Sequence, residues 1–154
     1  MKNEKRNASE ISLMNIRVFC FLFSVFCFPL LCGCGKNSSP KFTQYYVQGE
    51  KLYLKHCNNC HQADGTGLGR VYPPLNISDY MENNFADVIC LMRHGKTDEV
   101  IVNGQQFNQP MQGVTTLSDL EIAEIATYIY NTWTHDRGIV EVKEAAEILG
   151  NCNP

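Results

Sequence analysis

Residues 55–67 read KHCNNCHQADGTG and hold the most chemically distinctive spacing in the chain. Cys57 and Cys60 stand three positions apart, and His61 follows directly. A C-x-x-C pair can serve as a redox dithiol, as half of a zinc site, or as a point of attachment for haem. These three chemistries need different surroundings, so the rest of the sequence can distinguish them.

Two of the three chemistries lack the surroundings that they require. A structural zinc site needs four ligands, commonly from two such pairs, and the sequence has no second C-x-x-C. A thioredoxin-like dithiol should open a helix after a buried strand, whereas residues 45–56 show helical spacing and no alternation. Haem attachment needs a histidine directly after the second cysteine, and His61 meets that need.

The spacing also has a geometric reason. Residues three apart share one face of a helical turn, so the thiols of Cys57 and Cys60 can add to the two vinyl groups along one edge of a porphyrin. His61, next along the turn, is then carried beneath the iron as its proximal ligand. The sequence therefore predicts one covalently bound haem c.

Three segments of the sequence show the patterns of helices. The first precedes Cys57 and ends there. The second lies near residues 83–95, with Gly95 at its C-terminal cap. The last begins after the N-cap Ser118, whose capping-box partner is Glu121. The apolar stripes that define the second and last helices are Phe85, Val88, Ile89 and Met92, and Ile122, Ile125, Ala126 and Ile129.

The amino-terminal residues indicate export. Val18 to Cys32 is a run of fifteen uncharged residues after a basic segment, which is typical of a secretory signal. The junction LCGCGKNSS resembles a bacterial lipobox, which implies cleavage before Cys34 and a lipid on that cysteine. We expect a lipoprotein signal peptide at residues 1–33 and a polar linker at 34–43. A plain signal peptide cut near Gly35 and an uncleaved signal anchor remain alternatives.

From Gln44 to about Trp133 the chain resembles a small mono-haem cytochrome c of the His/Met type. The resemblance is carried by GEKLYLKHCNNCH, GTGLGRVYPPL, VNGQQFNQPM and LSDLEIAEIATYI. It implies an all-α fold in which three core helices wrap around one haem. We expect that domain at residues 44–135, followed by an extension at 136–154 with one short amphipathic helix. Where the first helix crosses the last, the resemblance implies that Gly49 and Tyr53 pack on Ile125 and Tyr128.

The resemblance also implies the remaining ligand set. Met111, in a loop before the last helix, matches the position of the thioether ligand on the distal side of the iron. The other candidates are Met81, Met92, His56, His94 and His135, and an open or exchangeable distal site is a further alternative.

Two other parts of the site follow from the same resemblance. The carbonyl of Pro73, in YPPL, is expected to accept a hydrogen bond from His61, a contact that fixes the imidazole ring. Arg70 and Arg93 are candidate partners of the haem propionates, or else solvated surface arginines.

Cys90 and Cys152 remain after the attachment site and the leader are assigned. In an oxidising compartment these two remaining cysteines could form a disulfide, which would tie the tail to the second helix. A buried free Cys90 and a frayed Cys152 are the alternative.

Charge and composition limit the functional classes. Net charge is −3, and residues 34–154 hold 9 basic and 14 acidic side chains, which gives −5 and does not favour nucleic acid as a partner. The sequence predicts a non-enzymatic one-electron carrier of a bacterial respiratory or dehydrogenase chain, lipid-anchored on the periplasmic side. Its expected partners are redox proteins at a membrane surface: a quinol-oxidising complex, a terminal oxidase or a dehydrogenase. The alternatives are a haem subunit of a larger membrane oxidoreductase, a haem enzyme or sensor with an open distal site, and a haem-free thiol oxidoreductase.

Overall fold

A computed structural model describes residues 39–152 of the chain. The predicted signal peptide, the predicted lipidation residue Cys34 and the first residues of the linker lie outside this range. No helix within the described range is both long enough and apolar enough to cross a membrane.

Residues 39–152 form six helices and four short strands, which we label in chain order. The helices are α1 (Pro40–His56), α2 (Asn58–His61), α3 (Asp79–Asn83), α4 (Phe85–His94), α5 (Asp119–Ile129) and α6 (Val142–Leu149). The strands are β1 (Gly95–Lys96), β2 (Val100–Val102), β3 (Gln105–Phe107) and β4 (Met111–Gln112).

Helix α1 begins and ends at residues suited to those positions. The hydroxyl of Ser39 accepts a hydrogen bond from the backbone N–H of Phe42 at 3.1 Å, and Pro40 occupies the first turn, where no intrahelical donor is needed. The helix ends where the backbone N–H of Cys57 donates to the carbonyl of Tyr53 at 2.8 Å. As predicted, the first helix therefore delivers the C-x-x-C-H segment directly at its C-terminus.

Helices α1 and α5 cross in close contact at Gly49. A Cβ on Gly49 would lie 1.9 Å from the carbonyl oxygen of Glu124 and 2.9 Å from the Cβ of Tyr128. One helical period along α1, the ring of Tyr53 lies 5.4 Å from that of Tyr128, centroid to centroid. The predicted packing of Gly49 and Tyr53 against Tyr128 is thus present, and only glycine allows the two backbones to approach this closely.

The other two predicted helices are also present. In α5 the hydroxyl of Ser118 accepts from the N–H of Glu121 at 3.3 Å, while the Glu121 carboxylate accepts from the N–H of Ser118 at 2.8 Å, which confirms the capping box. In α4 the predicted stripe is buried at Val88, Ile89 and Met92, and the helix ends at Gly95 with φ 76°. Amphipathic spacing and caps were therefore sufficient to find both helices.

The four strands were not part of the predicted all-α class. Strands β2 and β3 pair antiparallel around Asn103 and Gly104, whose φ angles of 53° and 74° suit the two central residues of a type I′ turn. Strands β1 and β4 pair Gly95 with Gln112 and Lys96 with Met111. The Asn-Gly dipeptide was the available signal for the hairpin. Met111 therefore lies in a short strand and not in the irregular loop that was expected.

The carboxyl-terminal extension packs on the core through α6. Ala145 is fully buried, and the backbone N–H of Val140 donates to the hydroxyl of Thr127 in α5 at 3.0 Å. The predicted amphipathic helix is present, although Val142 at its start is exposed. Cys90 of α4 and Cys152 are joined by a disulfide with a Cα–Cα distance of 5.8 Å, so the tail is tied covalently to α4.

We predict that Gly49→Ala lowers the free energy of unfolding by about 2–4 kcal/mol, because the new methyl group would overlap the Glu124 carbonyl and force the helices apart. Gly150→Ala is the matched control, since its Cβ would lie 3.4 Å from the nearest atom, at ordinary contact, and its φ is −69°. Urea unfolding of the purified variants measures both. Equal stability of the two variants would contradict the close crossing.

Candidate functional site

An apolar cavity of about 300 Å³ lies at the centre of the described domain. It is bordered by α1, α4 and α5, and most of its walls are apolar side chains such as those of Leu75, Val88, Leu91, Ile125 and Ile129. The cavity is also lined by five residues singled out from the sequence, namely Cys57, Cys60, His61, Pro73 and Met111. Residues up to 54 positions apart in the chain therefore converge on one site.

The two cysteines are held by one backbone turn. Cys57 ends α1 and precedes α2, and its carbonyl accepts from the N–H of Cys60 at 3.1 Å and of His61 at 3.0 Å. Both cysteines are free thiols, whereas the other two cysteines of the described range are bonded to each other. Cys57 and Cys60 are thus left available for attachment to a ligand in the cavity.

The environment of Cys57 differs from that of a catalytic thiol. Burial, followed by the neighbouring Cys60, raises the pKa of Cys57 to about 12. Thiol oxidoreductases depend on a thiolate with a lowered pKa, because only the thiolate is nucleophilic. This half-buried, protonated thiol therefore argues against the haem-free oxidoreductase considered from the sequence.

The imidazole of His61 is buried and held from one side. Its Nδ1 lies 3.0 Å from the carbonyl oxygen of Pro73, the carbonyl that the resemblance indicated. Because a carbonyl can only accept, Nδ1 must carry the proton, which leaves Nε2 unprotonated and able to bind a metal ion. Burial lowers the pKa of His61, an effect that the hydrogen bond to Pro73 opposes, and the lowered pKa favours the neutral ring that metal ligation requires.

Gly67 positions the Pro73 carbonyl, a role that the sequence reading did not assign. Gly67 has a φ of 71°, and a Cβ there would lie 2.4 Å from the carbonyl oxygen of Tyr72 and 2.6 Å from that of Pro73. Its backbone N–H donates to the carbonyl of His61 at 3.0 Å. The glycine-rich stretch GTGLG after the C-x-x-C-H motif was the signal that could have found it.

Three methionines line the cavity, and their packing distinguishes them. Met81 and Met92 are buried in the hydrophobic core, and the carbonyl of Met81 accepts a hydrogen bond from Tyr130 at 2.9 Å. Met111 is only half-buried and lies on β4 outside that core. His94, another candidate distal ligand, is exposed and is not among the described residues that line the cavity.

Charged side chains at the cavity differ from those expected. Of the described lining residues, Lys96 and Asp98 carry full charges, whereas the candidate propionate partners Arg70 and Arg93 do not line it. Arg70 is exposed, and Arg93 donates to Asp119 at 2.7 Å. Lys96 was not identified from the sequence, because its position depends on the pairing of β1 with β4.

The donor set and the walls of the cavity fit a covalently attached haem. Two thiols on one turn, a neutral imidazole with a free Nε2 and a half-buried thioether match the groups that attach and ligate haem c. The apolar walls match a largely apolar macrocycle. The residues present are therefore suited to this group.

Comparisons with known proteins agree with the chemistry of the site. The model of the family described as cytochrome c oxidase, cbb3-type, subunit III, matches residues 46–129. Two proteins of Thermus thermophilus called cytochrome c-552 are 29% identical over 91 residues, which covers 56% of this chain and 69% or 61% of theirs. The cytochrome c subunit of a quinone alcohol dehydrogenase from Komagataeibacter europaeus is 29% identical over 89 residues, 19% of its length.

We predict that Gly67→Ala lowers the free energy of unfolding more than Gly69→Ala does. Both glycines have positive φ, so both substitutions cost about 1–2 kcal/mol in backbone strain. Only at position 67 would the methyl group also displace the Pro73 carbonyl, which adds about 1–3 kcal/mol, whereas a Cβ on Gly69 meets no described atom within 4 Å.

Urea unfolding measures this difference, and hydrogen exchange at Nδ1 of His61 should be faster in Gly67→Ala alone. Equal stabilities with unchanged exchange would show that Gly67 does not support the Pro73 carbonyl.

Proposed function

The chain belongs to the cytochrome c family whose model it matches, and from this premise we propose that it is a one-electron carrier with one covalent haem and His/Met ligation. Family membership supports electron transfer by a haem c protein.

The observation that carries the proposal is the convergence of Cys57, Cys60, His61 and Met111 on one apolar cavity. A dithiol enzyme would need a reactive thiolate, and Cys57 has the opposite environment.

Each of these residues has a defined role in the proposal. Cys57 and Cys60 hold the haem through thioether bonds, and Nε2 of His61 ligates the iron while the Pro73 carbonyl keeps the proton on Nδ1. The thioether of Met111 would be the second protein ligand of the iron, and as a soft donor it would favour Fe(II) over Fe(III). The bound haem supplies an iron that accepts one electron and returns it. The apolar walls exclude water from that iron.

The proposed setting is the periplasmic face of a bacterial membrane, with the lipid on Cys34. The apolar run before Cys34 and the lipobox-like junction support it. The acidic excess of residues 34–154 supports a redox partner with a basic docking surface, such as a quinol-oxidising complex, a terminal oxidase or a dehydrogenase.

A second candidate is a haem subunit that remains bound to a larger oxidoreductase. The similarity to a protein named as the cytochrome c subunit of a quinone alcohol dehydrogenase favours it, although this chain spans only 19% of that protein. The two candidates share the site and differ in assembly. A free carrier should purify from a detergent extract as a single polypeptide. A subunit should instead copurify with a dehydrogenase or oxidase polypeptide in constant ratio.

We predict that the intact mass of the protein, made in a cell competent for haem maturation, equals residues 34–154 plus one haem and a diacylglyceryl group on Cys34, with or without a third acyl chain on its amino group. The haem mass should remain after denaturation, because two thioether bonds hold it. Cys57→Ser/Cys60→Ser is the control and should lose the haem but keep the lipid. A colourless wild-type chain would contradict the haem site, and an unmodified Cys34 would contradict the anchor alone.

We predict that Met111→Leu removes the distal ligand while keeping apolar bulk at that position. Oxidised haem with a thioether ligand has a weak absorption band in the red, the thioether band, and this band should disappear in the variant. Carbon monoxide should bind readily to the open site. The reduction potential should fall by part of the roughly 0.8 V range that axial ligands set. Met92→Leu is the matched control within the same cavity and should retain the band. Loss of the band in Met92→Leu with retention in Met111→Leu would exclude Met111 as the ligand.

A further inference from the structure

Three polar side chains meet at the edge of the cavity, and two of them line it. The hydroxyl of Tyr80 donates a hydrogen bond to Oδ2 of Asp87, and Nζ of Lys96 lies 3.7 Å from the same oxygen. Tyr80 and Lys96 both line the cavity. The cluster joins α3, α4 and β1, so three separate elements fix where it lies.

Lys96 is held beside the proposed distal ligand by strand pairing. The ladder of β1 and β4 sets Lys96 directly opposite Met111. Gly95, the residue before it, has a φ of 76°, and a Cβ there would lie 2.4 Å from the carbonyl of Met111. This close backbone contact fixes the register that brings the Lys96 side chain to the cavity.

The charge of Lys96 is only partly screened by solvent. Its side chain is 29% exposed, so solvent screens it less than a fully exposed lysine. Among the described residues that line the cavity it is the one lysine or arginine, and Asp98 is the one carboxylate. The carboxylate of Asp87 is 3.7 Å away and itself 41% exposed, so it forms only a weak ion pair with the ammonium, while the hydrogen bond from Tyr80 fixes where that carboxylate lies.

A fixed positive charge beside a haem acts on its two oxidation states unequally. The oxidised centre carries one more positive charge than the reduced centre, so a neighbouring cation destabilises the oxidised state more. The reduction potential therefore rises with every cation that the protein holds near the iron.

We infer that Lys96, positioned by Asp87 and Tyr80, raises the reduction potential of the haem electrostatically. The inference rests on the proposed function, because it concerns the same cavity and its haem. It assigns Lys96 a positioning and charge role that is separate from ligation by Met111.

The test is the ratio of reduced to oxidised protein at a fixed solution potential, measured for Lys96→Gln, Lys96→Arg and Lys51→Gln. Lys96→Gln should lower the ratio on the order of threefold to tenfold, as expected for removal of one partly screened charge. Lys96→Arg keeps the positive charge, so its ratio should lie within twofold of the wild-type ratio. Lys51 is an exposed lysine of α1 that does not line the cavity, so Lys51→Gln should leave the ratio unchanged.

Two further measurements separate this charge effect from a packing effect. The thioether band of oxidised Lys96→Gln should persist, and its free energy of unfolding should stay close to that of the wild type. A ratio that Lys96→Gln changes no more than Lys51→Gln does would overturn the inference, as would loss of the thioether band in Lys96→Gln. A wild-type protein without covalent haem would instead overturn the proposed function, so the two failures are distinguishable.

Discussion

The close approach of α1 to α5 at Gly49 is the constraint on which the position of the site depends. The carbonyl of Glu124 occupies the space that any Cβ at Gly49 would fill, so the two helices can cross this closely only at the glycine. Cys57 follows eight residues later, about 12 Å along the helix axis. The crossing therefore determines how the thiols and His61 face the apolar side chains of α5.

A second set of contacts then holds His61 from its own loop. The carbonyl of Pro73 accepts a hydrogen bond from Nδ1 of His61, and Gly67 leaves room for that carbonyl to approach the imidazole. On the other side of the motif, the buried hydroxyl of Tyr53 donates to the carbonyl of Gln62 at 2.6 Å and ties the residue after His61 back to α1. The imidazole is thus oriented by backbone groups, which move less than side chains would.

The rest of the described structure keeps the cavity apolar and its walls in place. Helix α4 supplies Val88, Leu91 and Met92 to one wall, and the disulfide from Cys90 to Cys152 ties that helix to the tail. Such a packed interior changes little when a charge is added or removed inside it. That property suits a protein that exchanges an electron without making or breaking bonds in a substrate.

The sequence by itself determined those parts of the protein that depend on neighbours a few positions away. The attachment motif, the capping box at Ser118 and the stripes of α4 and α5 are local, because helical spacing and hydrogen bonding relate residues three or four apart. The hairpin at Asn103 is equally local, because the Asn-Gly dipeptide favours the turn that joins its strands. Only the tertiary structure decided the pairing of Cys90 with Cys152, the support that Gly67 gives to Pro73 and the place of Lys96 at the cavity. These features join residues that the chain separates, and their distances exist only once the helices have packed.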